Sequence, residues 1–164
     1  LAESNGLIKI LGAWALSSAC HQARQWQKAG LKDFYISVNV SPRQFVQEDF
    51  LDMINSVLDE SVLLPENLML EITEGVLMDN PQRSKAILAQ LHEMGVKIAI
   101  DDFGTGYSSL AYLKKFSLSV LKIDKSFVDD MINSAEDMAI VGAILRLAEG
   151  LNLLVVAEGV AIVQ

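Results

Sequence analysis

Three features of the 164-residue sequence predict a parallel β/α fold. Strand-like and helix-like segments alternate along the chain with short turns between them, the pattern of strands joined by crossover helices. The strand segments are nearly continuous runs of Val, Ile and Leu, as expected where helices cover parallel strands. Each of five such runs also carries a polar residue near its C-terminal end: Asn39, Glu71, Asp101, Lys122 and Glu158.

Residues Leu7 to Ala29 have helical spacing and end at Gly30. The β-branched and aromatic run Phe34 to Val40 reads as the first strand. Helical spacing returns from Phe45 to Glu60, and Leu68 to Thr73 forms the second strand. Asn80 followed by Pro81 has the form of an N-cap with proline at the first helical position, opening a helix that stops at Gly95. Val96 to Asp101 and Leu118 to Asp124 are the third and fourth strands. Ser134 caps a helix that Gly150 terminates, and Leu153 to Gly159 is the fifth strand. The connections are expected to be right-handed crossovers. Neither linker nor low-complexity tract interrupts residues 1–164, so one domain is expected.

Composition bounds the function. Hydrophobic residues make up 51% of the chain, enough for a globular core. The net charge of -8 argues against binding a nucleic-acid polymer, which needs a basic surface. It leaves room for a small anionic ligand held through metal ions. Cys20 is the only cysteine, so no internal disulfide can form, and a reducing cytoplasmic compartment is expected. No run reaches the ~18 apolar residues of a membrane span. Leu7 to Ala19 comes nearest but contains Lys9, and it reads as a core-facing helix without membrane contact.

Alternate residues of a strand share a face. Val38 and Val40 therefore oppose Asn39, Leu70 and Ile72 oppose Glu71, and Leu121 and Ile123 oppose Lys122. One face of the sheet is aliphatic, and the other ends in polar groups. Repeated over the strands, this places a shared site at the C-terminal rim of a β/α barrel or open β/α sheet. Oxygen donors dominate the rim, as hard cations prefer. Asp101 and Asp102 are adjacent carboxylates that repel unless cations neutralise them, and two metal ions would do so. Lys122 adds a fixed positive charge able to orient water or stabilise an anionic transition state. Two metals and a cation suit hydrolysis of a phosphodiester.

Other candidates carry less. Gly104-Thr105-Gly106 lacks the spacing of a dinucleotide fingerprint or a P-loop. Ser108 and Ser109 read as caps of the following helix. His21 and His92 read as surface or packing residues, and Trp14, Trp26 and the methionines as core.

Five ordered blocks carry a family resemblance: SVNVSPRQF (Ser37 to Phe45), LEITEG (Leu70 to Gly75), IAIDDFGTGYSSLAYL (Ile98 to Leu113), LKIDKSFV (Leu121 to Val128) and VVAEGV (Val155 to Val160). Together they resemble the EAL-domain phosphodiesterases of bacterial cyclic di-GMP signalling. The resemblance implies a modified TIM-like β/α barrel that opens cyclic di-GMP to linear pGpG with Mg²⁺ or Mn²⁺ at a two-metal site, inhibited by Ca²⁺. It implies that Asn39, Glu71, Asp101 and Asp102 hold metal, and that Asp102, Lys122 and Glu158 are catalytic. It further implies that Glu74 anchors the loop from Asp102 to Ser109, that Asp124 binds substrate, and that the protein is a homodimer. Sensory, GGDEF or membrane domains commonly accompany the family.

The sequence departs from the family pattern in places. Neither the name-giving Glu-Ala-Leu block nor the Gln-Gly-Tyr region that follows the fifth strand occurs. Gly75 stands where serine is frequent, and Ala161 where glutamate is usual. A full barrel takes about 250 residues. The expectation is therefore an incomplete barrel of about five parallel strands, lacking the N-terminal EAL strand and the C-terminal strand. Weak or absent hydrolysis is expected from the 164 residues alone, together with outer strands that pair with another chain or are covered irregularly. The alternative function is a non-catalytic cyclic di-GMP receptor module.

Overall fold

A computed structural model describes residues 7–105, 110–129 and 131–160. The chain forms helix α1 (Leu7–Lys28), strand β1 (Ile36–Asn39), helices α2 (Pro42–Phe45) and α3 (Phe50–Ser61), strand β2 (Leu68–Thr73), helices α4 (Glu74–Asp79) and α5 (Pro81–Glu93), and strand β3 (Lys97–Phe103). Helix α6 (Leu110–Leu113), strand β4 (Val120–Ile123), helices α7 (Lys125–Asp129) and α8 (Ala135–Gly150) and strand β5 (Leu154–Ala157) follow. The strands form one parallel sheet in the order β1-β2-β3-β4-β5. The architecture is the expected β/α one, and the sheet does not close into a barrel among the described residues.

The aliphatic face of the sheet is the main core. Leu68, Leu70 and Ile72 of β2, Ile98 and Ile100 of β3, and Leu121 and Ile123 of β4 join one buried cluster with Ile54 and Leu58 of α3 and Leu88 and Leu91 of α5. Full burial of such side chains stabilises by about 1.5–3 kcal/mol each. On the opposite face Met69, Ala99 and Val120 form a second, smaller buried cluster. Two residues further along the same strands, on that same face, stand Glu71, Asp101 and Lys122. A dry apolar layer thus lies directly beneath the polar rim.

Local signals set the boundaries. The Asn80 side chain accepts a hydrogen bond from the Arg83 N–H at the start of α5, and Ser134 does the same for Asp137 at the start of α8. Gly30 and Gly95 take positive φ where α1 and α5 end. The single helix expected from Phe45 to Glu60 is instead two. Ser41 and Gln44 form a capping box around the short α2, the helix breaks at Val46, and α3 begins at Phe50. Phe45 and Phe50 bridge the break edge to face, with ring centroids 5.7 Å apart. The outer strands are shorter than expected, and β3 is longer, running to Phe103.

The reading of Leu7 to Ala19 as core-facing is corrected. Leu16, Cys20 and Ala23 are the buried residues of α1. Leu7, Ile10, Leu11 and Trp14 lie exposed at helical spacing, with Trp14 at 68%. Trp26 is also exposed, its ring set edge-on to Phe34. Neither tryptophan is core: α1 packs on α3, β1 and α2 through Leu16, Cys20 and Ala23, and these rings lie off that stripe. Among the methionines, Met69 is buried and Met138 exposed. His21 and His92 lie at the surface as expected. No helix among the described residues is long and apolar enough to cross a membrane.

Candidate active site

Two adjacent residues of a regular strand point to opposite faces, so Asp101 and Asp102 should diverge. A bulge resolves the conflict. Ile100 pairs with Leu121 and Phe103 with Ile123, so Asp101 and Asp102 together stand opposite Lys122. Asp102 takes φ +53°, the left-handed conformation that aspartate tolerates better than most residues. The result brings carboxylate oxygens of Asp101, Asp102 and Glu158 within 4.8 Å of one another.

Lys122 reaches into this group. Its Nζ donates to Glu71 Oε2 at 2.7 Å and Asp101 Oδ1 at 2.7 Å, and pairs with Glu158 Oε1 at 2.6 Å. Burial alone would loosen its proton, but the hydrogen bonds to Asp101, Glu158 and Glu71 outweigh burial and hold it above the ordinary lysine value. Lys122 is therefore an ammonium throughout the physiological range. Asp102 is also shifted upward, which for a carboxyl means that it holds its proton more tightly. Burial first, then the charges of Asp101, Asp124 and Glu158, raise its pKa against the pull of Lys122. One ammonium thus stands among four carboxyl groups, Glu71, Asp101, Asp102 and Glu158, a set of oxygen donors able to hold a cation.

The backbone levels the rim. Asn39 is the register partner of Glu71, and Thr73 that of Asp101. Asn39 is exposed at the end of β1. Glu158 lies just past β5, where its N–H still bonds to Ile123 O at 3.1 Å. Glu74 opens α4 and is only 3% exposed. Its Oε2 accepts the Gly104 N–H at 3.3 Å, tying α4 to the chain that leaves β3. Asp102 O accepts from Thr105 Oγ1 at 2.8 Å, which continues that turn. Gly106, Tyr107, Ser108 and Ser109, and with them the helix caps expected at the two serines, lie outside the described residues, as does Ala161. Asp124 Oδ1 accepts from the backbone N–H and Oγ of Ser126 at the start of α7. These bonds, the Ser126 hydroxyl foremost, lower its pKa and keep it an acceptor.

The structure thus gathers Glu71, Asp101, Asp102, Lys122 and Glu158 into one cluster, sets Asn39 beside Glu71, and leaves Asp124 at its edge. Sequence reasoning did not anticipate the bulge, nor the bonds joining Ser41 to Gln44 behind Asn39. The spacing Ser-x-x-Gln was the available signal for the second.

Oxygen donors and one lysine at the C-terminal ends of parallel strands, above a buried apolar layer, are the arrangement of a β/α protein of the barrel or open-sheet class, whose sites form at that rim. The chain belongs to the EAL domain family, whose family model matches residues 1–164. It is 46% identical to the signaling protein YkoW of Bacillus subtilis over 98% of this chain and 20% of YkoW. It is 48% identical to MucR of Pseudomonas aeruginosa, described as a bifunctional diguanylate cyclase/cyclic di-GMP phosphodiesterase, over 98% of this chain and 23% of MucR. The solved PaMucR phosphodiesterase in complex with c-di-GMP superposes with a TM-score of 0.96 at 46% identity, covering 98% of this chain and 65% of that one. The chain therefore spans about a fifth to a quarter of those two curated relatives.

Proposed function

We propose that this chain carries the catalytic rim of a cyclic di-GMP phosphodiesterase that opens the cyclic dinucleotide to linear pGpG. The observation that carries this reading is the bulge in β3, which turns Asp101 and Asp102 to one side beside Glu158 and Lys122. The likeness to MucR and its c-di-GMP complex supports the substrate.

The donor set fits divalent metal, being hard oxygen ligands. Asn39, Glu71, Asp101 and Asp102 would hold it, as Mg²⁺ or Mn²⁺. When bound, the metal supplies Lewis-acid polarisation of the phosphate and an acidified water. In the reaction one P–O3′ bond breaks, and water gives hydroxyl to phosphorus and a proton to the leaving 3′ oxygen. Glu158, the most solvent-accessible of the cluster carboxylates on Lys122, accepts the proton of the attacking water. Lys122 holds a fixed positive charge where negative charge develops on the phosphate. Glu74 holds the turn after Asp102 through Gly104. Asp124, an ionised acceptor, hydrogen-bonds the substrate.

Among the described residues the five-stranded sheet does not close around the rim, and turnover by the 164 residues alone is expected to be slow. Ca²⁺, larger and less polarising, is expected to support binding and suppress turnover. The test is chromatography of nucleotide products after incubation with cyclic di-GMP and Mn²⁺. Slow pGpG release, abolished in Lys122→Ala and Glu71→Gln, is the expected result. Neither product nor binding in the unsubstituted protein would overturn the reading.

A further inference from the structure

Asn39 has little support from its own short strand. It ends β1 at the margin of the sheet, and its neighbour Val40 makes a backbone bond to Glu71 O at 2.9 Å before the chain turns away. What lies behind that turn is unusually well fixed. Gln44 Oε1 accepts from the Ser41 N–H at 3.2 Å and from Ser41 Oγ at 2.8 Å, while Ser41 Oγ accepts from the Gln44 N–H at 3.3 Å. Gln44 is polar yet only 4% exposed.

Its seat is Gly12 of α1. A Cβ placed on Gly12 would stand 2.0 Å from Gln44 Nε2, 2.3 Å from Cδ and 2.4 Å from Oε1. The amide therefore lies flat against a bare helix backbone. Glycine weakens the middle of a helix relative to alanine, so its position there calls for a reason, and the Gln44 amide supplies it. The contact chain runs from Gly12 to Gln44, from Gln44 to Ser41, and from Ser41 two residues back to Asn39.

We infer that Gln44, seated on Gly12, is a positioning residue that sets Asn39 at the metal-binding rim. The inference rests on the metal reading above and adds to it a support on a different helix layer. Residues that hydrogen-bond a metal ligand change metal affinity about 10–100-fold when removed, and Gln44, acting one step further out through Ser41, is expected at the low end.

The test uses Mn²⁺ alone as probe, with free ion followed by electron paramagnetic resonance, and the Asn39 side-chain amide followed by ¹⁵N NMR. Gln44→Met keeps the length and loses the acceptor; Gly12→Ala pushes on the same amide from α1; Gln44→Glu keeps the acceptor. Ile54→Val, fully buried in the helix layer, is the control for general destabilisation. Gln44→Met and Gly12→Ala are expected to weaken Mn²⁺ binding about 10-fold and to shift the Asn39 amide resonances. Gln44→Glu is expected to restore both, and Ile54→Val to move neither. Unchanged Mn²⁺ affinity and an unshifted Asn39 resonance in Gln44→Met, or equal losses in Ile54→Val, would overturn the inference. Should the unsubstituted protein bind no Mn²⁺, the metal reading falls. The Asn39 resonance then decides the positioning alone: shifted in Gln44→Met it stands, unshifted it is overturned.

Discussion

Strands β2 and β3 bury most of their side chains, while β1 and β5 leave half or more of theirs exposed. The same contrast runs through the rim. Glu71 and Asp101 have side chains 11% and 14% accessible, against 33% for Glu158. Central groups are flanked by paired strands, so ladder bonds and core packing fix them. Marginal groups are followed at once by turns: Asn39 by the Ser41–Gln44 capping box, and Glu158 by Gly159 beside Lys125. Preorganisation at the rim is thus inherited from the sheet at its centre and supplied locally at its edges.

Substitutions in the two regions should separate by size. Ile100→Ala, in the fully buried centre, is expected to cost about 2–5 kcal/mol. Val156→Ala, on edge strand β5 and 38% exposed, should cost under about 1 kcal/mol. Urea denaturation measures both, and equal losses would break the comparison.

A smaller effect probes the margin itself. Gly159 has φ +73°, and a Cβ there would lie 2.3 Å from Lys125 Cγ. Gly159→Ala should therefore cost about 1–2 kcal/mol through its backbone alone and more through the clash. Adding Lys125→Ala should recover the clash portion. Full recovery would show that the backbone conformation is unimportant.

At the end of α3 the sign reverses. Val62 sits at φ +57° and is 63% exposed, a strained conformation for a β-branched residue. Val62→Gly is expected to stabilise by about 1 kcal/mol in the same denaturation experiment.

The smallest effect concerns Cys20. Burial raises its thiol pKa to about 11. A pKa raised on folding contributes stability that is complete below the unfolded thiol value near 9 and is lost as pH rises toward 11. Iodoacetamide labelling of the native protein should stay slow from pH 7 to 9, where an exposed thiol accelerates. Labelling that tracks an exposed thiol would contradict the burial of the Leu16, Cys20 and Ala23 stripe of α1.

The fold was largely legible because parallel strands under helices leave a simple trace, with runs such as LMLEIT and VKIAID punctuated by caps and glycines. The rim was legible for the same reason: a lone charge in an apolar run can only face one way. The bulge was not, because nothing within KIAIDDF says where its pairing with β4 slips, and the slip falls between Ile100 and Phe103, around the left-handed Asp102. The helix break after Phe45 is masked in the sequence because the apolar spacing continues across Val46. The exposure of Trp14 was missed for a related reason: periodicity shows that α1 has an apolar stripe, not how wide a strip of neighbouring structure covers it.

The central claim is that the bulged end of β3 turns adjacent carboxylates into one cation site. Thermal unfolding with and without Mn²⁺ tests it most directly, comparing the unsubstituted protein with Asp101→Asn and Asp102→Asn. At 100 times the dissociation constant Mn²⁺ should stabilise the unsubstituted protein by about 2.7 kcal/mol, and at that same concentration should stabilise each variant far less. An undiminished Mn²⁺ shift in Asp102→Asn would contradict it.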